Sequence, residues 1–341
     1  MRAAIYNPYL DTLGGGERYT MAVASTLVEN GFNVDVQWKD GNIKNILEAR
    51  FNIFLKGVNF VDKINKGDGY DVCFWVSDGS IPLLHARNNI IHFQIPFTDL
   101  NGKTLINRMK FFRINKFICN SHFTKNFIDE TYGIDSTVIY PPVDVVNFKP
   151  GKKENLIISV GRFSHLTQVK RQDVLLRAFK RFYDTGHGNW RLVFAGGTEV
   201  GIGGFVKKLK NSARGYPVKI MESPTFSQIR ELYAKAKIFW SAVGYGVDEN
   251  KEPARVEHFG ITVVEAMASG AVPLAYAAGG HKEIIVDGEN GFLWKSTGSL
   301  LKSTQRLIQE KGLMAKVVKK AQNDSKAYKY DRFEAEFLNL L

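Results

Sequence analysis

EHFGITVVEAMASG, residues 257–270, is the most informative stretch of this sequence. It holds two carboxylates eight positions apart, Glu257 and Glu265, and Gly260 opens an apolar run of helical type between them. Eight residues span slightly more than two helical turns. Because Glu257 precedes the glycine, we expect it in the loop ahead of the helix, with Glu265 one turn inside.

This junction between loop and helix offers three kinds of group to a nucleotide-sugar. The amides of Gly260, Ile261 and Thr262 are free at the start of the predicted helix and could meet a diphosphate. Glu265 could accept hydrogen bonds from a ribose diol, and Glu257 could reach the sugar. The alternative is a buried helix with two incidental acids, because short motifs often match by chance.

The composition is that of a globular protein. The chain has 341 residues, of which 44% are hydrophobic, enough for two ordinary domains. Cys73 and Cys119 lie in apolar runs, which implies no disulfide framework and fits a reducing compartment. The N-terminus has too short an apolar core for a signal peptide, and no apolar run approaches the ~18 residues of a membrane span. We therefore expect a cytoplasmic protein that could touch the membrane from that side.

Positive charge is concentrated in the second half of the chain. Residues 1–150 carry 16 Lys/Arg and 15 Asp/Glu, whereas residues 151–341 carry 30 and 19, so the net charge of +12 divides into +1 and +11. A basic half suits an anionic ligand such as a nucleotide diphosphate. It also suits nucleic acid, but no RNA- or DNA-binding signature accompanies it, so we expect no nucleic-acid partner.

Short β-type runs alternate with helical patterns along the whole chain, which predicts an α/β fold with two parallel sheets covered on both faces. The pattern breaks at the Pro-Pro turn of residues 140–144 and in the polar segment that follows it. We therefore predict one Rossmann-like domain over residues 1–148 and a second over 149–325. A C-terminal helix over 326–341 could pack back on the first domain.

Two further groups of residues are candidates for binding a phosphate. The loop Gly14-Gly15-Gly16 falls between the first strand and the first helix, where backbone amides can approach a ligand; the alternative is a tight turn. It matches neither G-x-G-x-x-G nor a P-loop. Arg162, after a strand, and Lys170, before a helix, would converge at a strand end and could neutralise a diphosphate. Alone, they would be read as two solvated surface cations.

The remaining candidates are a histidine and a basic segment. His92 ends an apolar strand and could hydrogen-bond a sugar or phosphate, or act as an acid or base; a half-buried structural histidine is the alternative. Lys103–Lys125 has no acidic residue and contains Phe111 and Phe112, so it could lie on an anionic membrane. The alternative there is a solvated face with core aromatics. No D-x-D or H-E-x-x-H occurs, so we expect no bound metal.

These motifs, in this order, resemble the retaining glycosyltransferases of family 4, which have the GT-B fold of two Rossmann-like lobes facing each other across a cleft. The resemblance covers nearly the whole chain. It rests on GGGER at 14–18, the histidine strand at 90–96, VIYPPVD at 138–144, VGRF at 160–163, EHFGITVVEAMASG at 257–270, the glycine pair at 279–280 and NGFLW at 290–294.

The resemblance implies roles by position. The first domain would be the acceptor side and the second would bind the nucleotide-sugar, with no further cofactor. Glu265 would hold the donor ribose, and the amides of Gly260, Ile261 and Thr262 would meet the diphosphate. Arg162 and Lys170 would neutralise it, and Glu257 would contact the transferred sugar. Implied neighbours in the first domain are His92 near the reacting centre and Gly15–Gly16 near the donor phosphates.

The resemblance leaves several points open. Ser164–Val169 look like an insertion, so the spacing from Arg162 to Lys170 is longer than usual for the family, and Arg171 is an alternative cation. The reaction implied is metal-independent transfer of a hexose to a glycan or lipid-linked acceptor. A nucleotide-sugar-binding protein without transfer activity and a nucleotide-sugar epimerase of the same fold are the alternatives. The sequence does not distinguish GDP-mannose from a UDP-hexose.

Overall fold

The computed structural model describes residues 1–98, 100–164, 168–198 and 203–341. The chain forms two compact units: an N-terminal unit of Met1–Pro142 with Tyr330–Leu341, and a C-terminal unit of Val143–Lys329. The prediction had placed the division after residue 148 instead. The structure moves it forward because the amide of Val143 donates to the carbonyl of Tyr328 at 2.8 Å and Phe148 packs against Tyr233, with ring centroids 5.4 Å apart.

The N-terminal unit is built on a seven-stranded parallel sheet in the order β3-β2-β1-β4-β5-β6-β7. Its strands are β1 (Arg2–Tyr6), β2 (Asn33–Gln37), β3 (Val58–Val61), β4 (Val72–Val76), β5 (Asn88–Phe93), β6 (Lys116–Cys119) and β7 (Thr137–Val138). Its helices in the first part of the chain are α1 (Gly15–Glu29), α2 (Ile43–Phe51), α3 (Leu105–Phe111) and α4 (His122–Tyr132).

Both faces of this sheet are covered. In β1, Ala3 and Ile5 belong to one buried apolar cluster, whereas Ala4 between them belongs to another. Successive residues of a strand point to opposite faces, so the two clusters are the cores on either side of the sheet. A strand that is buried on both faces reads as a continuous apolar run, as the sequence of β4, VCFWV, does.

The C-terminal unit has a six-stranded parallel sheet in the order β10-β9-β8-β11-β12-β13. Its strands are β8 (Glu154–Val160), β9 (Arg191–Gly196), β10 (Val218–Glu222), β11 (Ala236–Ser241), β12 (Val272–Tyr276) and β13 (Phe292–Trp294). Its helices are α5 (Gln172–Asp184), α6 (Gly203–Ser212), α7 (Phe226–Lys235), α8 (Ile261–Ala268), α9 (His281–Ile284), α10 (Thr297–Gln309) and α11 (Leu313–Ser325).

The direction of winding in this second sheet reverses between β8 and β11, which are neighbours although they are distant in sequence. The loops that leave these two strands therefore separate to opposite sides and open a crevice at the carboxyl edge of the sheet. Ligands of open α/β sheets bind at such a reversal. The fold thus gives the loops after β8 and β11 the position in which ligand-binding residues are expected.

The last helix, α12 (Tyr330–Leu338), returns to the N-terminal unit. Phe333 and Phe337 are fully buried there. The Phe333 ring meets that of Tyr19 edge-on at 5.0 Å, and the Phe337 ring lies 5.9 Å from that of Phe74. The apolar face of α12 therefore completes the core beside α1.

Candidate functional site

The first part of the site is the loop after β8. A Cβ atom on Gly161 would lie 2.9 Å from Cγ of Lys170, so the Lys170 side chain passes directly over this glycine. Gly196, at the end of the adjacent strand β9, has even less space for a side chain, because a Cβ there would lie 2.0 Å from the Gly161 carbonyl oxygen. The lack of side chains at these two strand ends lets their backbones lie close together and lets Lys170 cross the edge of the sheet over Gly161.

Lys170 ends at Glu257, in the loop after β11. Its Nζ donates to Oε2 of Glu257 at 3.0 Å, and the side chains are only 19% and 14% exposed. Burial alone would raise the pKa of Glu257, but the charge and hydrogen bond of Lys170, together with electrostatic contributions from His281 and His258, lower the pKa to about 2. Glu257 is therefore an anion at neutral pH and cannot serve there as a proton donor.

The backbone at Glu257 is fixed by two glycines that follow β12. The amide of Gly280 donates to the Glu257 carbonyl at 2.7 Å. A Cβ on Gly279 would lie 2.1 Å from that same carbonyl oxygen, and one on Gly280 would lie 2.5 Å from Cα of Phe259. Because φ of Gly279 is +56° as well, this position requires glycine for two reasons.

His281, the next residue, packs against the glycine turn. It is buried, with Nδ1 2.9 Å from the Tyr276 carbonyl and Nε2 3.3 Å from Oγ of Ser241. Burial lowers the pKa of His281, although the charge of Glu257 opposes this shift. A neutral ring between two oxygen partners supports the glycine turn.

Helix α8 begins as the sequence predicts. Its N-cap is Gly260, with φ +118°, and this glycine offers no side chain to the first amides of the helix. The amides of Ile261 and Thr262 have no carbonyl partner within a helix that starts here. Tyr233 holds the first turn by donating its hydroxyl to the Thr262 carbonyl at 3.1 Å. Glu265 is buried one turn further along.

The two arginines near Lys170 differ in their surroundings. Arg162 directly follows β8 and is partly buried, and its carbonyl accepts from Nε2 of Gln172 at 3.1 Å. Arg171 has other partners than Glu257: its Nη1 donates to the Tyr245 carbonyl at 2.8 Å and its Nε to Asp173 at 3.2 Å. Lys170, and not Arg171, is therefore the cation that meets Glu257. Residues 165–167, half of the suspected insertion, lie outside the described residues.

The glycine loop belongs to the N-terminal unit. Gly15 and Gly16 are the first two residues of α1, which has Gly14 as its N-cap. A Cβ on Gly16 would lie 1.6 Å from Oε1 of Gln94, because the Gln94 amide lies on this glycine and donates to its carbonyl at 3.1 Å. The loop is therefore shaped for close approach of another group, and in this structure the side chain of Gln94 takes that place.

His92 does not have the surroundings predicted for a catalytic residue. It is completely buried, its ring stacks on that of Tyr19 with centroids 4.1 Å apart, and it lies 5.4 Å from the ring of Phe74. Burial lowers its pKa to about 3. In this conformation His92 packs within the core beneath α1, as the structural alternative describes, and both of its ring nitrogens are buried without a hydrogen-bond partner. Its role near the reacting centre stays a prediction.

Two residues with a structural role at the site escaped the sequence analysis. Gln94 covers the glycine loop, and Glu249 accepts the amide of Gly279 at 2.7 Å. Glu249 also pairs with Lys282 at 2.5 Å. The partners of Gln94 and Glu249 are distant in sequence, so no spacing rule points to either residue.

We predict that Gly279→Ala destabilises the C-terminal unit and disturbs Glu257. The positive φ alone should cost roughly 1–2 kcal/mol, and the clash with the Glu257 carbonyl should add roughly 1–3 kcal/mol. Gly288→Ala is the matched control, because Gly288 has φ +80° but nothing lies within 4 Å of its Cβ position. Urea unfolding measures both. Equal losses in the two variants would show that the close approach at Gly279 is unimportant.

Among the described residues, no group of three or more His, Cys, Asp or Glu side chains is arranged to hold a metal ion. No helix in that part of the chain is both long and apolar enough to cross a bilayer.

The C-terminal unit matches a known family. Residues 144–324, which cover nearly all of this unit, fit the family model described as glycosyl transferases group 1. The matched range contains Arg162, Lys170, Glu257 and Glu265, which are the residues that the sequence analysis placed around the donor.

Curated relatives point the same way. A GDP-Man:Man(3)GlcNAc(2)-PP-Dol alpha-1,2-mannosyltransferase of Dictyostelium discoideum is 26% identical over 243 residues, 65% of this chain and 46% of the relative. An alpha-1,3/1,6-mannosyltransferase ALG2 of Candida glabrata is 26% identical over 259 residues, 65% of this chain and 54% of the relative. The chain thus spans about half the length of these relatives.

Among solved structures, Anabaena Alr3699/HepE in complex with UDP and glucose superposes with a TM-score of 0.76 at 17% identity, and all of both chains is covered. The likeness confirms the predicted fold class, GT-B with two Rossmann-like domains. With the family match over more than half of its length, the chain belongs to the group 1 family of glycosyl transferases.

Proposed function

We propose that this protein transfers a hexose from a nucleotide-diphosphate sugar to a hydroxyl of a glycan or lipid-linked acceptor, retaining the configuration at the anomeric carbon and using no metal. One observation carries the proposal: the buried pair of Lys170 and Glu257, 3.0 Å apart, at the winding reversal of the C-terminal sheet. A cation for phosphate and an anion for sugar hydroxyls lie side by side there.

Three sources of positive charge lie at the carboxyl edge of the C-terminal sheet, where the leaving diphosphate would bind. Lys170 is one source, and Arg162, at the end of β8, is a second. The amides of Gly260, Ile261 and Thr262 at the start of α8 are a third, since the N-terminus of a helix favours anions. Groups that are positioned before the reaction stabilise developing charge without a reorganisation cost.

In the transfer step, the bond from the anomeric carbon to the phosphate oxygen breaks, and its electron pair leaves with the diphosphate. The acceptor hydroxyl attacks from the same face and forms the new glycosidic bond, while its proton passes to the departing phosphate oxygen. Glu257 is ionised, so in this scheme it accepts hydrogen bonds from the sugar and stabilises positive charge on the ring. It forms no covalent adduct, in contrast to the nucleophile of retaining glycosidases.

Support for the substrates comes from the relatives. The Dictyostelium relative is named for GDP-Man and a PP-Dol-linked acceptor, and the Candida relative is named as a mannosyltransferase, whereas the complex of Anabaena HepE contains UDP and glucose. We therefore propose GDP-mannose or a UDP-hexose as the donor. Thermal shift with each compound discriminates the two, because a ligand that binds only the folded state raises the melting temperature.

We predict that Glu265→Ala weakens donor binding. Glu265 is buried one turn inside α8, where a carboxylate can accept both hydroxyls of a ribose. Loss of a charged acceptor should cost roughly 1.5–3 kcal/mol, which corresponds to about 10- to 150-fold in Kd. Calorimetry with GDP and UDP measures this change. Unchanged affinity for both nucleotides in the variant would rule out the ribose role.

We also predict that transfer needs no divalent cation. Lys170, Arg162 and the α8 amides provide the positive charge that a metal supplies in other sugar transferases. Activity should persist in excess chelator within about twofold. Complete loss in chelator that magnesium or manganese restores would contradict the prediction.

A second candidate is a protein that binds a nucleotide-sugar without transferring the sugar, and a third is an epimerase of the same fold. Labelled donor, incubated with and without an acceptor, separates them: a transferase labels the acceptor, an epimerase changes the sugar of the donor, and a binding protein does neither.

We propose a cytoplasmic location, since Cys73 and Cys119 are both free and buried. Contact with a membrane would depend on a lipid-linked acceptor.

A further inference from the structure

Helix α3 of the N-terminal unit carries an apolar face that the described residues leave exposed. Leu105, Ile106, Met109 and Phe112 are 74%, 66%, 63% and 92% exposed. Their spacing of one, three and three residues brings them to one side of a helix. We call these four residues the α3 surface. Large apolar side chains this exposed, and adjacent to one another, mark an interaction site.

The opposite side of α3 is fastened to the body of the unit, so the orientation of the α3 surface is fixed. Phe111 packs edge-on against Phe117 at 5.3 Å. Lys110 donates to the carbonyl of Ile81 at 2.7 Å. The sequence predicts that Phe111 and Phe112 either face a membrane or belong to the core; the structure separates them, because Phe111 packs against Phe117 and Phe112 is exposed.

The segment of sequence that contains the α3 surface carries charge of one sign between Asp99 and Asp129. Residues 100–128 contain six Lys or Arg and no Asp or Glu. Four of these cations are exposed: Lys103, Arg108, Arg113 and Lys116. An apolar face flanked by cations is complementary to a bilayer that has an apolar interior and anionic headgroups.

We infer that the α3 surface docks the protein on an anionic phospholipid bilayer. This inference rests on the proposed function, for which it specifies an acceptor that is carried in a membrane. The side chains of Ile106 and Phe112 insert into the interfacial region, and Arg108 and Lys116 attract the headgroups. A second copy of this chain is the other occupant that the experiment tests, by light scattering.

The test is flotation of the full chain with phosphatidylcholine vesicles that contain either no phosphatidylglycerol or about one third of it. The wild type should bind the anionic vesicles, and 0.5 M NaCl should weaken the binding because salt screens exposed charges. The double change Ile106→Ser and Phe112→Ser should lower the partition coefficient at least about tenfold. The double change Arg108→Ser and Lys116→Ser should abolish the preference for anionic lipid.

The matched control is the double change Ile46→Ser and Phe54→Ser. It removes the same two residue types from elsewhere in the N-terminal unit, where Ile46 is 41% and Phe54 is 89% exposed. This variant should bind vesicles like the wild type. Equal loss in the control, or wild-type protein that does not float with anionic vesicles, would overturn the inference.

Two further measurements on the same proteins test whether the α3 surface serves self-association and whether the donor site is intact. If light scattering shows a wild-type dimer that Ile106→Ser and Phe112→Ser convert to a monomer, the α3 surface is a self-association site and the inference is wrong. Calorimetry with GDP and UDP reports the donor site separately. Normal nucleotide binding without vesicle binding would refute the membrane inference and leave the proposed transferase function in place.

Discussion

Glu257→Gln should still fold and bind nucleotide, yet lose about 10²–10³-fold in sugar transfer. Glutamine keeps the size of the side chain and an oxygen that can accept from Lys170, so the loss of stability from the unbalanced lysine charge should stay below the roughly 3–5 kcal/mol expected when one partner is removed outright. The negative charge is lost, and that charge matters most when positive charge develops on the sugar. An interaction made mainly in the transition state lowers kcat more than it raises KM.

Glu252→Gln is the matched control for this variant. Glu252 lies in the same loop, but its side chain is 48% exposed and pairs with Arg255 at the surface. Its replacement should leave kcat within about twofold, as is usual for an exposed ion pair. Near-normal kcat in Glu257→Gln, or an equal loss in Glu252→Gln, would remove Glu257 from the catalytic residues.

Lys170→Met should be more damaging, because it affects stability as well as catalysis. It leaves Glu257 buried without its cation, and the removal of one partner of a buried ion pair costs roughly 3–5 kcal/mol. The pKa of Glu257 should rise, since the attraction that lowers it is lost. Turnover should fall by about 10²–10³-fold because the leaving diphosphate loses a positioned charge. Urea unfolding and steady-state kinetics measure the two effects.

The double variant Lys170→Met and Glu257→Gln separates these effects. Without the carboxylate there is no uncompensated buried charge, so much of the lost stability should return while transfer stays lost. A double variant that is no more stable than Lys170→Met would mean that the cost comes from packing of the lysine stem over Gly161. Recovery of activity together with stability would contradict a catalytic role for the pair.

Much of the fold could be predicted from the sequence because its strands are apolar and its turns are rich in glycine and proline. The sequence pattern is weakest where elements are short or exposed. In strand β3, Val58–Val61, only Val58 is well buried, so the strand lacks the apolar run that marks the inner strands. Helix α2, Ile43–Phe51, is weakly marked for a similar reason, since just three of its residues are buried.

The candidate site was predictable where function depends on local backbone. Gly260 followed by an apolar run indicates a helix start, and the structure has α8 begin at Ile261. Side-chain direction was harder to read. Strand β5 is buried on both faces, so its residues show no polar alternation, and the sequence of β5 could not tell whether His92 faces the core or a ligand.

Contacts between distant residues could not be predicted at all. Lys170 and Glu257 are 87 residues apart, and the sequence gives no reason for Lys170 to reach this carboxylate in preference to Arg171. The choice follows from Gly161, which leaves room for one side chain, and from Tyr245, whose carbonyl holds Arg171. Both depend on the order of strands in the sheet.

The stereochemistry of donor cleavage tests the central claim most directly, and it needs no acceptor. The protein, at high concentration, is mixed with UDP-glucose or GDP-mannose, and the sugar released to water is followed by NMR before it mutarotates. Both donors are α-linked, so a retaining transferase should release the α-anomer first, and Glu257→Gln should release it far more slowly. Release of the β-anomer would contradict the proposed reaction.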